Sequence, residues 1–353
     1  MKEIIAAVNE VMAQYYPETK KSRFRYSRLY RVGMGEEAQD SIPLVFGDSL
    51  FWRLKLNFKN LRKKASFKEV ELKLPSDGLF FSREDKEGLI IVCPLQNFIL
   101  KIFRDPPHIV LLEREIKTLK LIAGSPFEKD SSKYLSDGLT SNGARWVMTD
   151  FRSNTQSLKN HANFEKNWFE ISYSEIMPRM AEFYKLNSPV TYSVNVWLNK
   201  NKDRVLAHPE VAKLQKVLVE IEKLQDDSLL LDSINHYDLH TGNVLYAGGD
   251  KYSIIDWEGN YRSPVVIDAF DFLRRYLQKN RNELSRFETL SDEVFKNYQS
   301  WLQKNFNLSV SMNSKKVHFL IYAVERTLFF WEIAKINRLE DKRAIEKFII
   351  EKY

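Results

Sequence analysis

The sequence predicts an α+β fold of two lobes, with a strand-rich N-terminal lobe, a mainly helical C-terminal lobe and an N-terminal extension. Three observations predict it. From about residue 24 to 103 apolar residues alternate with period two, after "RWVMTDF" at 145–151 the period turns helical, and one hairpin-like segment at 234–258 interrupts the helices. The expected boundaries are an extension over 1–65 (a helix, then strands), an N-lobe over 66–150 and a C-lobe over 151–353. The crossing falls in "FRSNTQSLKN" at 151–160, with a cleft between the lobes.

The first element is an amphipathic helix. In "MKEIIAAVNEVMAQYYPE", Ile4, Val8, Val11, Met12 and Tyr15 share a face, while Asn9 and Glu10 break the apolar run that a secretion signal needs. Strands follow: Trp52, Leu54, Leu56 and Phe58 alternate with Phe51, Arg53, Lys55 and Asn57, and Val70, Leu72 and Leu74 repeat the pattern. In "NFILKIF", Phe98, Leu100 and Ile102 line one strand face, and Ile99, Lys101 and Phe103 line the other. An ammonium between two large apolar residues needs an anionic partner, unless the strand lies at an edge where lysine reaches water along its stem.

The next helix supplies a partner. At about 100° per residue, Leu112, Ile116, Leu119 and Ile122 of "HIVLLEREIKTLKLI" form the buried stripe and Glu115 lies within it, whereas Glu113 falls on the polar side. A Lys101–Glu115 ion pair across strand and helix would hold the lysine for a phosphate; the alternative is a half-exposed Glu115 at the stripe's margin.

The segment "NVLYAGGDKYSIID" reads as strand, glycine turn and strand. Folding it at Gly249 brings Asn243 roughly opposite Asp256, and two hard oxygen donors at one end of a hairpin suit Mg²⁺. Asp238, five positions before Asn243, is placed to accept the proton of an attacking hydroxyl. Each residue has a plainer use in a turn cap or a backbone hydrogen bond, and His236 and His240 read as loop histidines with no cysteine near enough to suggest zinc.

"HYDLHTGN" followed by "IIDWE" resembles the loop and hairpin of the aminoglycoside phosphotransferase and choline kinase group, relatives of protein kinases, over roughly 76–353. The resemblance implies a protein-kinase-like fold and an ATP- and Mg²⁺-dependent transfer of phosphate to a small-molecule hydroxyl such as a sugar, an amino alcohol or an aminoglycoside-like acceptor. It implies Asp238 as catalytic base, Asn243 and Asp256 as metal ligands, and Lys101 on the ATP phosphates with Glu115 behind it. The same resemblance puts a hinge for adenine at Met148, Asp150 and Phe151, His236 within the loop, and Asp268 after "SPVVI" as its brace. Two departures stand out. Tyr237 takes a position usually held by glycine, and in place of a glycine-rich turn over the phosphates there is only "SREDKEG" at 82–88. His240 stands where many protein kinases carry lysine, which favours a small-molecule acceptor over a protein. A catalytically silent nucleotide-binding module is the alternative.

Other classes fit less well. The net charge of +7 and the basic run "KNLRKK" at 59–64 point toward nucleic acid, but solubility and a solvated turn explain them as readily. The same charge disfavours a polycationic acceptor. The window "VHFLIYAVERTLFFWEIAKI" carries Glu325, Arg326, Glu332 and Lys335, so it reads as a core helix with no membrane span. Its Tyr322, Phe329, Phe330 and Trp331 read as plain core in preference to an aromatic cage. One cysteine, Cys93, allows no internal disulfide, and cytoplasmic residence is the expectation. Residues 1–65 would extend the front sheet or mediate self-association.

Overall fold

The computed structural model describes residues 2–16, 21–27, 32–35, 68–73, 79–82, 88–93, 96–152, 155–158, 168, 170–249, 251–334, 338–341 and 344–353. The alternation at 51–58, the basic run at 59–64 and most of the turn at 82–88 lie outside these residues. The fold is α+β, with strands concentrated toward the N-terminus and helices toward the C-terminus. Two compact units divide the chain: Met1–Ala162 with Thr241–Gly259, and Asn163–His240 with Asn260–Tyr353. The hairpin therefore groups with the strand-rich unit and not with the helical stretch around it, and the first change of unit comes after Ala162, just beyond 151–160.

The chain opens with helix α1 (Lys2–Tyr15). Strands β1 (Lys21–Ser27), β2 (Val32–Gly35), β3 (Lys68–Lys73), β4 (Leu79–Ser82), β5 (Gly88–Cys93) and β6 (Phe98–Phe103) come next. After helix α2 (Pro106–Ile122), β7 (Tyr134–Leu139) and β8 (Arg145–Asp150) complete an antiparallel eight-stranded sheet in the order β3-β1-β2-β4-β5-β6-β8-β7. Its core joins Ile4, Ala7, Val8, Val11 and Met12 of α1 to Leu89, Ile91, Phe98, Leu100, Ile102, Trp146 and Met148. Helical spacing meets strand alternation there, and burying so many aliphatic groups drives the assembly. Tyr15, expected on the buried face, is exposed, its ring edge-on to Trp146 and its hydroxyl hydrogen-bonded to Ser136. Glu10 fastens α1 to the β7–β8 turn by accepting from the Ser141 N–H and hydroxyl. The N-terminal helix is thus built into the first unit's core.

The short strand β9 (Gln156–Ser157) ends the first pass through this unit. In the second unit a π-helical turn at Ile171–Ile176 leads into α3 (Met177–Leu186), where Pro178 in the first turn lacks the N–H that a helix start leaves unbonded. Then come β10 (Val190–Ser193), α4 (Val194–Leu206), α5 (Val211–Lys223) and β11 (Leu229–Asn235). The chain returns to the first unit for β12 (Val244–Tyr246) and β13 (Tyr252–Ile254), which form a sheet with β9. It re-enters the second unit at β14 (Tyr261–Pro264), which flanks β11 opposite β10, and ends in α6 (Val266–Lys279), α7 (Phe287–Phe306), α8 (Lys315–Ala334) and α9 (Ile345–Lys352). Phe270 of α6 stacks on Phe319 of α8 at 4.2 Å. Among the described residues no helix is long and apolar enough to cross a membrane.

Candidate active site

Lys101 sits on β6 with β5 on one side and β8 on the other, opposite Ile90 and Val147. A central strand offers no edge along which the ammonium could reach water. It is matched instead by carboxylates: Nζ lies 2.9 Å from both oxygens of Glu115 and 2.7 Å from Asp256 Oδ1. Glu115 is buried within the apolar stripe of α2, whose start is capped by Asp105 accepting from the His108 N–H. All three residues belong to the first unit. One ammonium faces two carboxylates.

The hairpin brings Asp256 to the lysine. Val244, Leu245 and Tyr246 pair with Ile254, Ser253 and Tyr252, and Gly248 and Gly249 turn the chain with φ of +99° and +60°. The Asn243 carbonyl accepts the Ile255 N–H at 3.0 Å, so Asn243 stands opposite Ile255, one residue short of the expected partner. Asp256 itself has φ +68°, a left-handed conformation that breaks the strand pleat and re-aims its side chain. The next residue fixes that turn. Trp257 is fully buried, donates from Nε1 to Ser131 Oγ at 2.9 Å and meets Phe127 edge-on. Asp256 keeps 35% of its side chain exposed, and it and Asn243 each carry a hard oxygen donor of the kind Mg²⁺ prefers.

Met148 lies in the first unit's core on β8, and Phe151 is buried just beyond it. The Asp150 N–H donates to Lys133 O and the Phe151 N–H to Asn97 O, each at 3.0 Å. The Asp150 carboxylate accepts from the Lys133 N–H at 2.6 Å and pairs with Arg152. Two amide donors expected for adenine are thus engaged within the unit.

The loop after β11 belongs to the second unit. Asp268, fully buried in the first turn of α6, accepts the His236 N–H at 2.6 Å, the Tyr237 N–H at 2.9 Å and the Tyr184 hydroxyl at 2.9 Å. One carboxylate therefore ties the loop to a helix start, where negative charge is favoured. Tyr237 adopts φ +63°, a cost of roughly 1 kcal/mol or more for a residue with a side chain. Packing offsets it: the ring stacks on Phe329 at 4.2 Å and meets Tyr261 edge-on, and the Tyr237 carbonyl accepts from the buried Arg326. Where glycine would supply freedom, tyrosine supplies an anchor.

Asp238 follows, with its N–H donating to His236 Nδ1 at 3.3 Å and 38% of its side chain exposed. Its carboxylate is surrounded by two guanidinium groups and an imidazole: Arg275 at 2.7 Å and Arg274 at 3.5 Å from Oδ1, and His240 Nε2 at 3.3 Å from Oδ2. Burial pushes this carboxyl up, but the hydrogen bond and charge of His240 and the two guanidinium charges outweigh it and hold the carboxyl well below the usual carboxylate range.

No family model and no curated protein matches the chain. Several solved structures are similar to it. Choline kinase LicA from Streptococcus pneumoniae is 13% identical over 76% of this chain and 90% of its own, with a TM-score of 0.48. A choline/ethanolamine kinase family protein from Mesorhizobium loti is 13% identical over 75% and 83%, with a TM-score of 0.43. The ADP-bound aminoglycoside phosphotransferase APH(2'')-Ib is 9% identical over 77% and 90%, with a TM-score of 0.45. At such identities the functional reading has to stand on the residues themselves.

Arg274 and Arg275 were not among the expected site residues. The signal lay in "VIDAFDFLRRYLQK", where position 274 falls four after Phe270 and one after Leu273, inside a stripe that buries Val266, Ile267, Phe270 and Leu277. A charge there demands carboxylate partners, and the buried Asp271 and the partly exposed Asp238 are what it meets.

Asp268 carries a pH signature. Burial pushes its carboxyl up to about 6, against the pull of the His236 and Tyr237 N–H groups. An acid raised on folding adds most to stability below its unfolded pKa, and that contribution is lost as pH rises through the folded value. The melting-temperature difference between the protein and its Asp268→Asn variant is therefore expected to shift against the aspartate between about pH 4 and about pH 7. A difference independent of pH would show that Asp268 does not titrate in that window.

Proposed function

We propose that the protein is an ATP- and Mg²⁺-dependent phosphotransferase acting on a hydroxyl of a small molecule. The observation that carries this reading is the Lys101 ammonium set between Glu115 and Asp256. A lysine fixed by a buried carboxylate, with a second, partly exposed carboxylate beside it, is a receiver for a polyphosphate and its counter-ion. Lys101 would hold the α- and β-phosphates, and Glu115 would hold Lys101. Asn243 and Asp256 would hold Mg²⁺, which when bound neutralises charge on the phosphates.

Asp238 is the proton acceptor in this scheme. As the acceptor oxygen bonds to the γ-phosphorus and the bond to the β–γ bridging oxygen breaks, the hydroxyl proton passes to the Asp238 carboxylate and ADP leaves. His236 and Asp268 hold the loop that presents it. The positions of Asp238, with its peptide N–H and carboxylate both tied into the second unit, support a preset orientation. A cytoplasmic location suits a consumer of ATP.

The test is ADP formation from Mg²⁺-ATP across a panel of sugars, amino alcohols and aminoglycosides. Acceptor-dependent ADP release that stops when EDTA removes the metal is the expected result. Nucleotide binding that needs no metal, with no ATP consumed across the panel, would instead identify a silent binding module.

A further inference from the structure

The two arginines beside Asp238 are not equivalent. Arg274 is buried to within 1% of its side chain, and its guanidinium is held by Asp271 at 2.8 Å and 3.3 Å and by Gln278 at 3.4 Å. It is part of the scaffold. Arg275 is 38% exposed, and among the described residues Asp238 is its one carboxylate partner, through Nη2 at 2.7 Å, while its Nε is buried without a hydrogen-bond partner. A planar fork with five N–H donors is therefore used on one oxygen, with capacity left for a second acceptor.

That pairing is costly for a proton acceptor. A carboxylate clamped by an adjacent guanidinium is a weaker base, so an enzyme gains nothing by leaving Arg275 on Asp238 during the transfer. The conflict disappears when the acceptor brings an anion of its own, which draws the guanidinium onto itself. Carboxylate and phosphate groups match the fork two oxygens at a time. An acceptor bearing an amine would instead place like charge against Arg274 and Arg275. Resting on the phosphotransferase reading above, we infer that the acceptor of this protein carries a carboxylate or phosphate near its reacting hydroxyl, and that Arg275 selects it by leaving Asp238 to bind that anion.

Arg275 is thus a specificity-determining residue that also frees the base as the acceptor binds. The test compares matched acceptors differing in charge: glycerate, glycerol and ethanolamine, and glucose 6-phosphate, glucose and glucosamine, each with Mg²⁺-ATP. The anionic member of at least one set should exceed its partners by about tenfold or more in kcat/KM, the ratio expected of one charge-assisted contact. Arg275→Ala should erase that preference, with the loss concentrated in the KM of the anionic members, and Arg275→Lys should restore part of it. Preference for neutral or amine members, or equal losses across all charges in Arg275→Ala, would overturn the inference while leaving the phosphotransferase reading intact. If no acceptor is phosphorylated, calorimetric titration of the intact protein with glycerate and glucose 6-phosphate separates the two ideas. Binding that Arg275→Ala abolishes upholds the anion site though the transfer reading fails, and no binding to the wild-type chain sinks the anion site as well.

Discussion

Asp238→Asn is expected to lower kcat by roughly a thousandfold, within the range of about 10² to 10⁴ that a positioned general base contributes. Asparagine keeps the size of the side chain and an oxygen for Arg275 and His240, but it cannot take a proton. The fold should tolerate the change. Arg274 remains held by Asp271, and Arg275 and Asp238 each keep 38% of their side chains in contact with water, where an ion pair contributes little. The melting temperature should therefore move by no more than a few degrees. Steady-state kinetics beside a thermal melt decide it: near-normal kcat removes Asp238 from the chemistry, and a collapse in melting temperature makes the loss of activity one of folding.

Asp271→Ala should have the largest effect on stability. Asp271 is fully buried on α6, bonded to Arg274 through both oxygens, 3.5 Å from Arg326 Nη1, and reached by the Tyr322 hydroxyl at 3.2 Å. Arg274 and Arg326 are themselves buried, and the next carboxylates are Asp238, 3.5 Å from Arg274, and Glu346, 3.9 Å from Arg326. Removing Asp271 takes from two buried guanidinium groups the carboxylate nearest to both, a loss of about 3–5 kcal/mol. Urea unfolding would show it as a lowered midpoint with little change in slope. Adding Arg274→Met to Asp271→Ala should recover part of the loss, because the charge that needed the carboxylate is then gone; Arg326 keeps the recovery incomplete. A double variant no more stable than Asp271→Ala alone would mean that packing, not charge, explains the site.

Much of the candidate site is legible locally. Period two puts Lys101 across the strand from Leu100 and Ile102, and helical spacing puts Glu115 inside the stripe of Leu112, Ile116 and Leu119, so strand and helix each disclose a charge facing inward. The hairpin is announced by its glycines. What local pattern does not disclose is distance. Asp256 reaches Lys101 across 155 positions, and the left-handed turn that directs it there leaves no trace in the alternation of β13. Arg275 is a similar case, since "RR" late in a helix reads as a solvated end until Asp238, 37 positions earlier, is found against it. Tyr237 is conspicuous in the sequence as a bulky residue where glycine is usual, but its remedy, the stack with Phe329, lies in a helix far along the chain.

The excursion of residues 241–259 into the strand-rich unit bears on how the molecule is made. Strand β9 waits for β12, and Trp257 and Ser131 cannot meet until nearly three quarters of the polypeptide has left the ribosome. During synthesis the eight-stranded sheet must persist without the small sheet that β9, β12 and β13 form while the first helices of the other unit emerge. Neither unit can be produced from one uninterrupted stretch of gene, and a simple truncation at their boundary would sever both.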